Sequence, residues 1–395
     1  MRNQKYEKGE TKMNHPLPRG WQEFALKDIG NFLRGSGISK KDLSDTGIPA
    51  IRYGDIYTKY DFVIKNVSSF TNSKGTELKK GDILFAGSGE TAEEIGKSVA
   101  FIDDYKAFAG GDIIIFRPNI DLNSLFLSYI LNSGKCRKDI SIMGQGHTVV
   151  HIYASYLEIL KVILPPLDEQ KRIADILSTF DDLIENLNKL IEKKELYKKG
   201  VMQRVLTGEV RFNGFKDEWR EINLRDIVEE YSIPNTNKLK QYTIGKNGIK
   251  ELDDFRHSID KHKVFKKNDL IVGIGIDEIN VNINLDYGCC SPVYRVYSIN
   301  TNLLNPKFGY FYIRKAIDRI KNKITRKSTR REFEFDHKEF IKYSILLPSL
   351  EEQNKIAELL TLIDKDIEIL KQLLHLRKLQ KKGLMQKLLT GEVRI

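Results

Sequence analysis

A chain of 395 residues, 41% hydrophobic and 30% charged, is long enough for two domains with their own cores and too apolar to be disordered. Lysine and arginine outnumber aspartate and glutamate by 65 to 54, and the net charge of +11 favours a polyanionic partner such as nucleic acid. Cys136, Cys289 and Cys290 show no C-x-x-C spacing, which argues against a disulfide framework or a cysteine zinc site; no run approaches the roughly 18 apolar residues of a membrane span.

The N-terminal stretch MRNQKYEKGETKMNH lacks the apolar core of a secretory signal, so a reducing cytoplasm is expected. From Trp21 the chain reads as short strands and turns. Arg52-Tyr53-Gly54-Asp55 is turn-rich, and residues 78–89, LKKGDILFAGSG, are a basic turn entering a strand and closing in a glycine loop around Ser88. Gly96-Lys97-Ser98 imitates the end of a phosphate-binding loop. The full pattern requires glycine where Thr91 stands, and Glu90, Glu93 and Glu94 would repel phosphate, so nucleotide binding is rejected there. Residues 112–117, DIIIFR, predict a strand, and 124–133, SLFLSYILNS, the one helix of this segment. Lys135, Arg137 and Lys138 then lead into a flexible polar loop, Gly144-Gln145-Gly146-His147-Thr148, in which glutamine can bond adenine bidentately.

Leu164-Pro165-Pro166 forbids helix, and a long one is predicted directly after it. Ile173, Leu177, Phe180, Ile184, Leu187 and Ile191 alternate steps of four and three, and Val201 and Val205 resume the phase beyond Lys194 and Lys198. A second apolar row, Ile176, Leu183, Leu190 and Tyr197, gives the helix more than one packing neighbour. Asp168 suits the positive end of the helix dipole, and Thr207-Gly208 ends it.

The second half repeats the plan. Trp21, Leu26, Asp28 and Ile29 recur as Trp219, Leu224, Asp226 and Ile227, and residues 265–276, FKKNDLIVGIGI, echo 78–89 with Asp269 in the place of Asp82. Ser291–Arg295 is predicted as a strand. Asn305-Pro306 reads as the cap and first residue of a helix over 307–323 rather than as a methyltransferase loop. Nine basic residues between Arg314 and Arg331 face one acid, Asp318. Within them the run Arg326-Lys327-Ser328-Thr329-Arg330-Arg331 mixes guanidinium forks with hydroxyls, the chemistry that clamps phosphates and reads guanine. The long helix then returns. Residues 164–211 and 347–394 align without a gap at an offset of 347 − 164 = 183, with 25 identities over 48 positions, and Leu359 and Leu373 take the places of Ile176 and Leu190.

These readings give an α+β chain: globular segments at 1–163 and 212–346, and helices at 164–211 and 347–395 that pair antiparallel about a pseudo-twofold axis. A helix of about 39 residues is roughly 58 Å long, or about 17 base pairs as an upper limit on the spacing of two half-sites. The candidate DNA contacts are Arg52, Tyr53, Ser88, Lys97, Gln145, His147, Thr148, Lys246, Arg326, Lys327, Ser328, Thr329, Arg330 and Arg331. No catalytic constellation and no metal site emerges, and a coiled-coil scaffold without DNA binding is the alternative.

The repeated pairing of LPPLDEQ with LTGEVR, and of LPSLEEQ with LTGEVR, resembles the specificity subunit of Type I restriction-modification systems over essentially the whole chain. That resemblance implies two α/β target-recognition domains, each binding one half of a bipartite asymmetric site on double-stranded DNA. It also implies that the helices are spacers and docking platforms for methyltransferase (modification) subunits, through Ile176, Leu183, Leu190, Tyr197, Leu359 and Leu373. No cofactor is expected in this chain. S-adenosylmethionine, ATP and magnesium would bind the methyltransferase and the restriction/translocase subunits. The second globular segment is shorter than the first, so base-reading positions do not transfer between halves one by one.

Overall fold

The computed structural model describes residues 17–395 apart from 147, 237–238, 246–247, 253–260, 275–278, 284–286 and 328–332. The chain divides into two units, one ending at Asn186 and including Leu374–Ile395, the other Leu187–Leu373.

In the first unit an antiparallel sheet runs in the order Gly30–Arg34, Ile113–Pro118, Ile83–Ala86, Ser98–Ala100. Ile83, Leu84, Phe85 and Ala86 are all fully buried, so the run is apolar without alternation because both faces are covered. A second sheet of very short strands contains a parallel pair, Ile48–Ile51 with Phe108–Ala109. Two helices follow, Ser124–Leu131 and Gly134–Ile142, where the sequence predicts one. The break is chemical. Asn132 turns its amide onto the carbonyls of Ser98 and Ser128 at 2.7 and 2.8 Å, and Gly134 takes a positive φ of 51° that continues no helix.

The second unit repeats the order of the four-stranded sheet. Val228–Tyr231, Arg295–Ile299, Leu270–Ile274 and Ile279–Ile283 form the four-stranded sheet, and the second sheet again holds one parallel pair, Gln241–Gly245 with Gly288–Cys290. The strand expected at 291–295 begins only at Arg295, because Ser291-Pro292 enters a turn closed by Tyr294 N–H donating to the Ser291 carbonyl at 3.0 Å. Asn305 caps the helix Pro306–Ile320 as predicted, its side chain accepting from Phe308 N–H at 3.0 Å.

The helices Leu167–Val205 and Leu350–Leu388 each span 39 residues. Within the first unit the start of one meets the end of the other: Ile173, Ala174 and Leu177 share a core with Leu388 and Leu389. The second unit does the same with Ile356, Ala357 and Leu360 against Val205 and Leu206. Both pairings are antiparallel. Fully burying each such aliphatic side chain contributes about 1.5–3 kcal/mol. A leucine truncated to alanine at position 177 or 360 is expected to cost about 2–5 kcal/mol.

The Leu-Pro-x-Leu-x-Glu-Gln sequence has a structural meaning at each copy. Gln170 accepts from Asn123 N–H at 2.9 Å and donates to the Pro165 carbonyl at 2.8 Å, tying a helix cap to the long helix. Gln353 repeats this with Asn305 N–H at 2.8 Å and the Pro348 carbonyl at 2.9 Å. Glu169 accepts from Nε and Nη2 of Arg394, at 3.1 and 2.7 Å, and Glu352 from the same two nitrogens of Arg211, at 2.9 and 2.7 Å. The arginine of each Thr-Gly-Glu-Val-Arg ending therefore closes on the glutamate of the other copy. Gly391, at φ 72°, admits this closure, since a Cβ there would meet Pro18 at 2.5 Å.

Candidate nucleic-acid interface

At the rim of the first unit three short segments are stitched together. Ser88–Gly89 pairs antiparallel with Val150–His151, placing His151 opposite Ser88, and a bridge pairs Gln145 with His151. The Ser88 hydroxyl lies 3.0 Å from His151 Nδ1, and Tyr57 donates to the Ser88 carbonyl at 3.1 Å. Gln145 Nε2 donates to the Tyr156 hydroxyl at 2.7 Å. Gly146 sits at φ 128°, where any Cβ would collide with the Val149 carbonyl, so the turn between the pair requires glycine. Tyr53, Gln145, Thr148, Val149, His151 and Tyr153 are exposed on these segments and the neighbouring Tyr53–Thr58 helix.

The sequence-predicted residues divide by environment. Arg52 is tied to Asp55, its Nη2 at 3.3 Å from Oδ1, while Tyr53 stays open. Ser88 is buried at 5% exposure and acts on His151 rather than facing solvent. Lys97 is half-buried, its ammonium held at 2.5 Å by the Tyr60 carbonyl and pulled below the usual lysine range by burial. His147 lies outside the described residues. Sequence reading missed His151, Tyr153 and Tyr156. His151 and Tyr156 meet Gln145 through a bridge and a side-chain bond within this segment, while only the pairing of 88–89 with 150–151 sets His151 against Ser88.

In the second unit Thr325–Lys327 pairs antiparallel with Phe333–Phe335, and the first of these strands holds Arg326 and Lys327 of the basic run. Arg326 is largely exposed, yet its Nε bonds Asp336, which also caps the helix His337–Ile341 through Glu339 N–H at 3.3 Å. Lys327 ends the strand, while Ser328, Thr329, Arg330, Arg331 and Lys246 lie outside the described residues. Nearby, Arg295 donates to Glu230 at 2.7 Å, Glu230 lies 3.3 Å from His337 Nε2, and His337 Nδ1 lies 2.9 Å from the buried Tyr297 hydroxyl. Burial pushes that phenol far above its usual range.

Each long helix also keeps apolar side chains out of its seam. In the first helix Ile176, Leu183, Leu190 and Tyr197 are 36, 37, 41 and 57% exposed. In the second the expectation needs correction: Leu359 packs against the core of its unit and Leu373 is half-buried. The exposed positions there include Leu362, Ile369 and Leu376, each three residues further along the helix than the expected row, together with Leu379, the counterpart of exposed Leu196. No helix among the described residues is long and apolar enough to cross a membrane.

A protein of Methanocaldococcus jannaschii assigned as the MjaX specificity subunit of a type I restriction enzyme is 28% identical over 411 residues, covering 96% of this chain and 95% of its own. The MjaVIII specificity subunit of the same organism is 25% identical, covering 99% and 97%. Among solved structures, that of a Type-I restriction-modification system S subunit from M. genitalium superposes with a TM-score of 0.63 at 19% identity, over 95% of this chain and 97% of that one, and so shares the fold. The model of the Type I restriction modification DNA specificity domain matches residues 18–195 and again 216–376. With the same sheet order built twice and a match spanning each copy, the chain belongs to the Type I restriction modification DNA specificity family.

Proposed function

We propose that this chain is the DNA sequence-recognition subunit of a Type I restriction-modification complex, each globular unit binding one half of a bipartite site on double-stranded DNA. The observation that carries the reading is the duplicated unit. One strand order is built twice, but the exposed side chains around it differ in chemistry: Gln145, His151 and Tyr153 in the first unit, Arg326 on a short strand pair in the second. Two readers of one design with different exposed side chains suit a site with two unlike halves, and the net charge of +11 supplies the sequence-independent attraction to phosphate.

Under this reading catalysis belongs to partner subunits. Methyltransferase subunits, using S-adenosylmethionine, dock on the exposed rows of the long helices, and a restriction/translocase subunit brings ATP and magnesium. The assembly works in the cytoplasm. This chain contributes binding free energy that positions the methyltransferase on its target, with phosphate contacts setting the register and base-edge contacts the sequence. A scaffold role without DNA gains no support from family membership. The test is co-expression with the cognate methyltransferase in a host free of adenine methylation, followed by mapping of methylated positions. A two-part motif with a fixed spacer is expected; methylation without sequence preference refutes the reading.

A further inference from the structure

Resting on the DNA-recognition reading, we propose that the first unit reads a purine on its major-groove edge through a pair of side chains, His151 and Gln145, with buried Ser88 as the positioning residue. The pairing gives the geometry. Gln145 and His151 exchange both backbone hydrogen bonds, at 2.9 and 2.8 Å, and His151 stands opposite Ser88 in the adjoining pair. Residues directly opposed across antiparallel strands project to the same face, so Ser88, His151 and Gln145 form one row. Its inner end is buried and its outer two members are exposed.

The row is held from behind. The backbone on either side of Ser88 is fixed by Tyr57, donating to its carbonyl at 3.1 Å, and by Ile152 N–H, donating to the Gly87 carbonyl at 3.0 Å. In the tautomer whose Nδ1 accepts from the Ser88 hydroxyl, the ring proton lies on Nε2, which no described residue engages. That nitrogen is then a single oriented donor, matched to the N7 or O6 acceptors of a purine. Gln145, steadied by Tyr156, offers an amide with a donor and an acceptor. Tyr153 and Val149, 52 and 49% exposed, add apolar surface beside the pair for a thymine methyl or a sugar. Because the rotamers are set before DNA arrives, little ordering cost remains on binding.

The experiment compares the wild type with H151A, Q145A and S88A, each co-expressed with the methyltransferase partner in a host without adenine methylation, and maps the methylated motif. H151A and Q145A are each expected to relax one position of the same half-site, lowering the preference for its base about 10- to 100-fold. S88A is expected to relax the His151 position alone by a smaller factor. The other half-site and the spacer stay unchanged, and so does the circular dichroism of the purified chain. Both alanine variants keeping the full wild-type motif, or loosening the opposite half, overturns the proposal. Should a variant abolish methylation, binding of the purified complex is measured on duplexes with each base pair of that half-site changed in turn. Discrimination lost at one position supports the proposal, and discrimination kept at all of them overturns it. A wild type that yields no two-part motif contradicts the DNA-recognition reading itself, an outcome distinct from either.

Discussion

Lys381 and Lys198 occupy the same place in the two copies of the repeat, yet removing them is expected to have unequal consequences. Lys381 bonds Asp181 and lies 4.1 Å from the centroid of Phe62 and 5.1 Å from that of Tyr129, with its side chain only 8% exposed. Tyr129 donates to the same carboxylate at 2.5 Å. Burial draws the ammonium below its usual range, and the bond to Asp181 opposes that shift. Alanine at 381 forfeits a hydrogen bond between charged groups, about 1.5–3 kcal/mol, and ring contacts of up to about 2 kcal/mol when desolvated. Part is returned because a buried ammonium no longer has to be stripped of water, which leaves a net loss of about 2–4 kcal/mol. Lys198 bonds Asp364 with the side chains 19 and 38% exposed and stands farther from its ring, 5.6 Å from Phe311. Water screens that pair, and K198A is expected to cost about 0.5–1 kcal/mol. Urea unfolding of the full chain, followed by fluorescence, measures both. At about 2–4 °C per kcal/mol for units of this size, K381A is expected to lower the melting temperature of the first unit in thermal unfolding by about 4–16 °C. A K198A penalty equal to or larger than that of K381A refutes the reasoning that burial, not sequence position, sets the value of these pairs.

Arg117 grips Asp82, 1% exposed, through two bonds of 2.8 Å, and R117A, which leaves that buried carboxylate without its cation and with the Lys79 N–H at 2.8 Å, is expected to destabilise the first unit by about 3 kcal/mol in the same unfolding assay. In the second unit burial raises the carboxyl of Asp269 above its usual range, against the bonds from Tyr231 and from Lys266 N–H that favour the anion. A raised acid binds its proton more tightly when folded, so its contribution is greatest below the ordinary carboxylate value and is lost as pH rises through the folded one. D269N is expected to flatten that fall in pH-dependent unfolding, and an unchanged slope contradicts it. Replacing Leu190 and Tyr197 by glutamate is expected to abolish co-purification with the methyltransferase subunit while leaving the melting temperature within about 2 °C, because both side chains are already exposed.

What the sequence disclosed and what it hid have a common physical basis. The seams of both helices could be read because a 3.5-residue period is local, and Ile173, Leu177, Ile356 and Leu360 are indeed fully buried. The Glu-Gln and Val-Arg signatures marked the ends of the repeat, but that Arg394 closes on Glu169 and Arg211 on Glu352 depends on which copies meet in space. The outward row of the second helix was misjudged by transferring positions from the first, since Leu183 is replaced by Asp366 and the exposed stripe moves to Leu362 and Ile369. His151 escaped notice because a lone histidine carries no local pattern. Only strand pairing over more than sixty residues sets it against Ser88. The second short helix, Gly134–Ile142, was hidden behind a run of lysines and arginine that reads equally well as a loop.

The central claim, that two units of one design read two independent halves of a DNA site, is tested most directly by exchange. Residues 18–163 are replaced with the corresponding segment of another member of the family whose methylated motif is known, and the motif of the hybrid is mapped in a host carrying the cognate methyltransferase. One half of the motif is expected to become that of the donor, with the other half unchanged. A hybrid that methylates efficiently while both halves change together, or while neither changes, contradicts the claim.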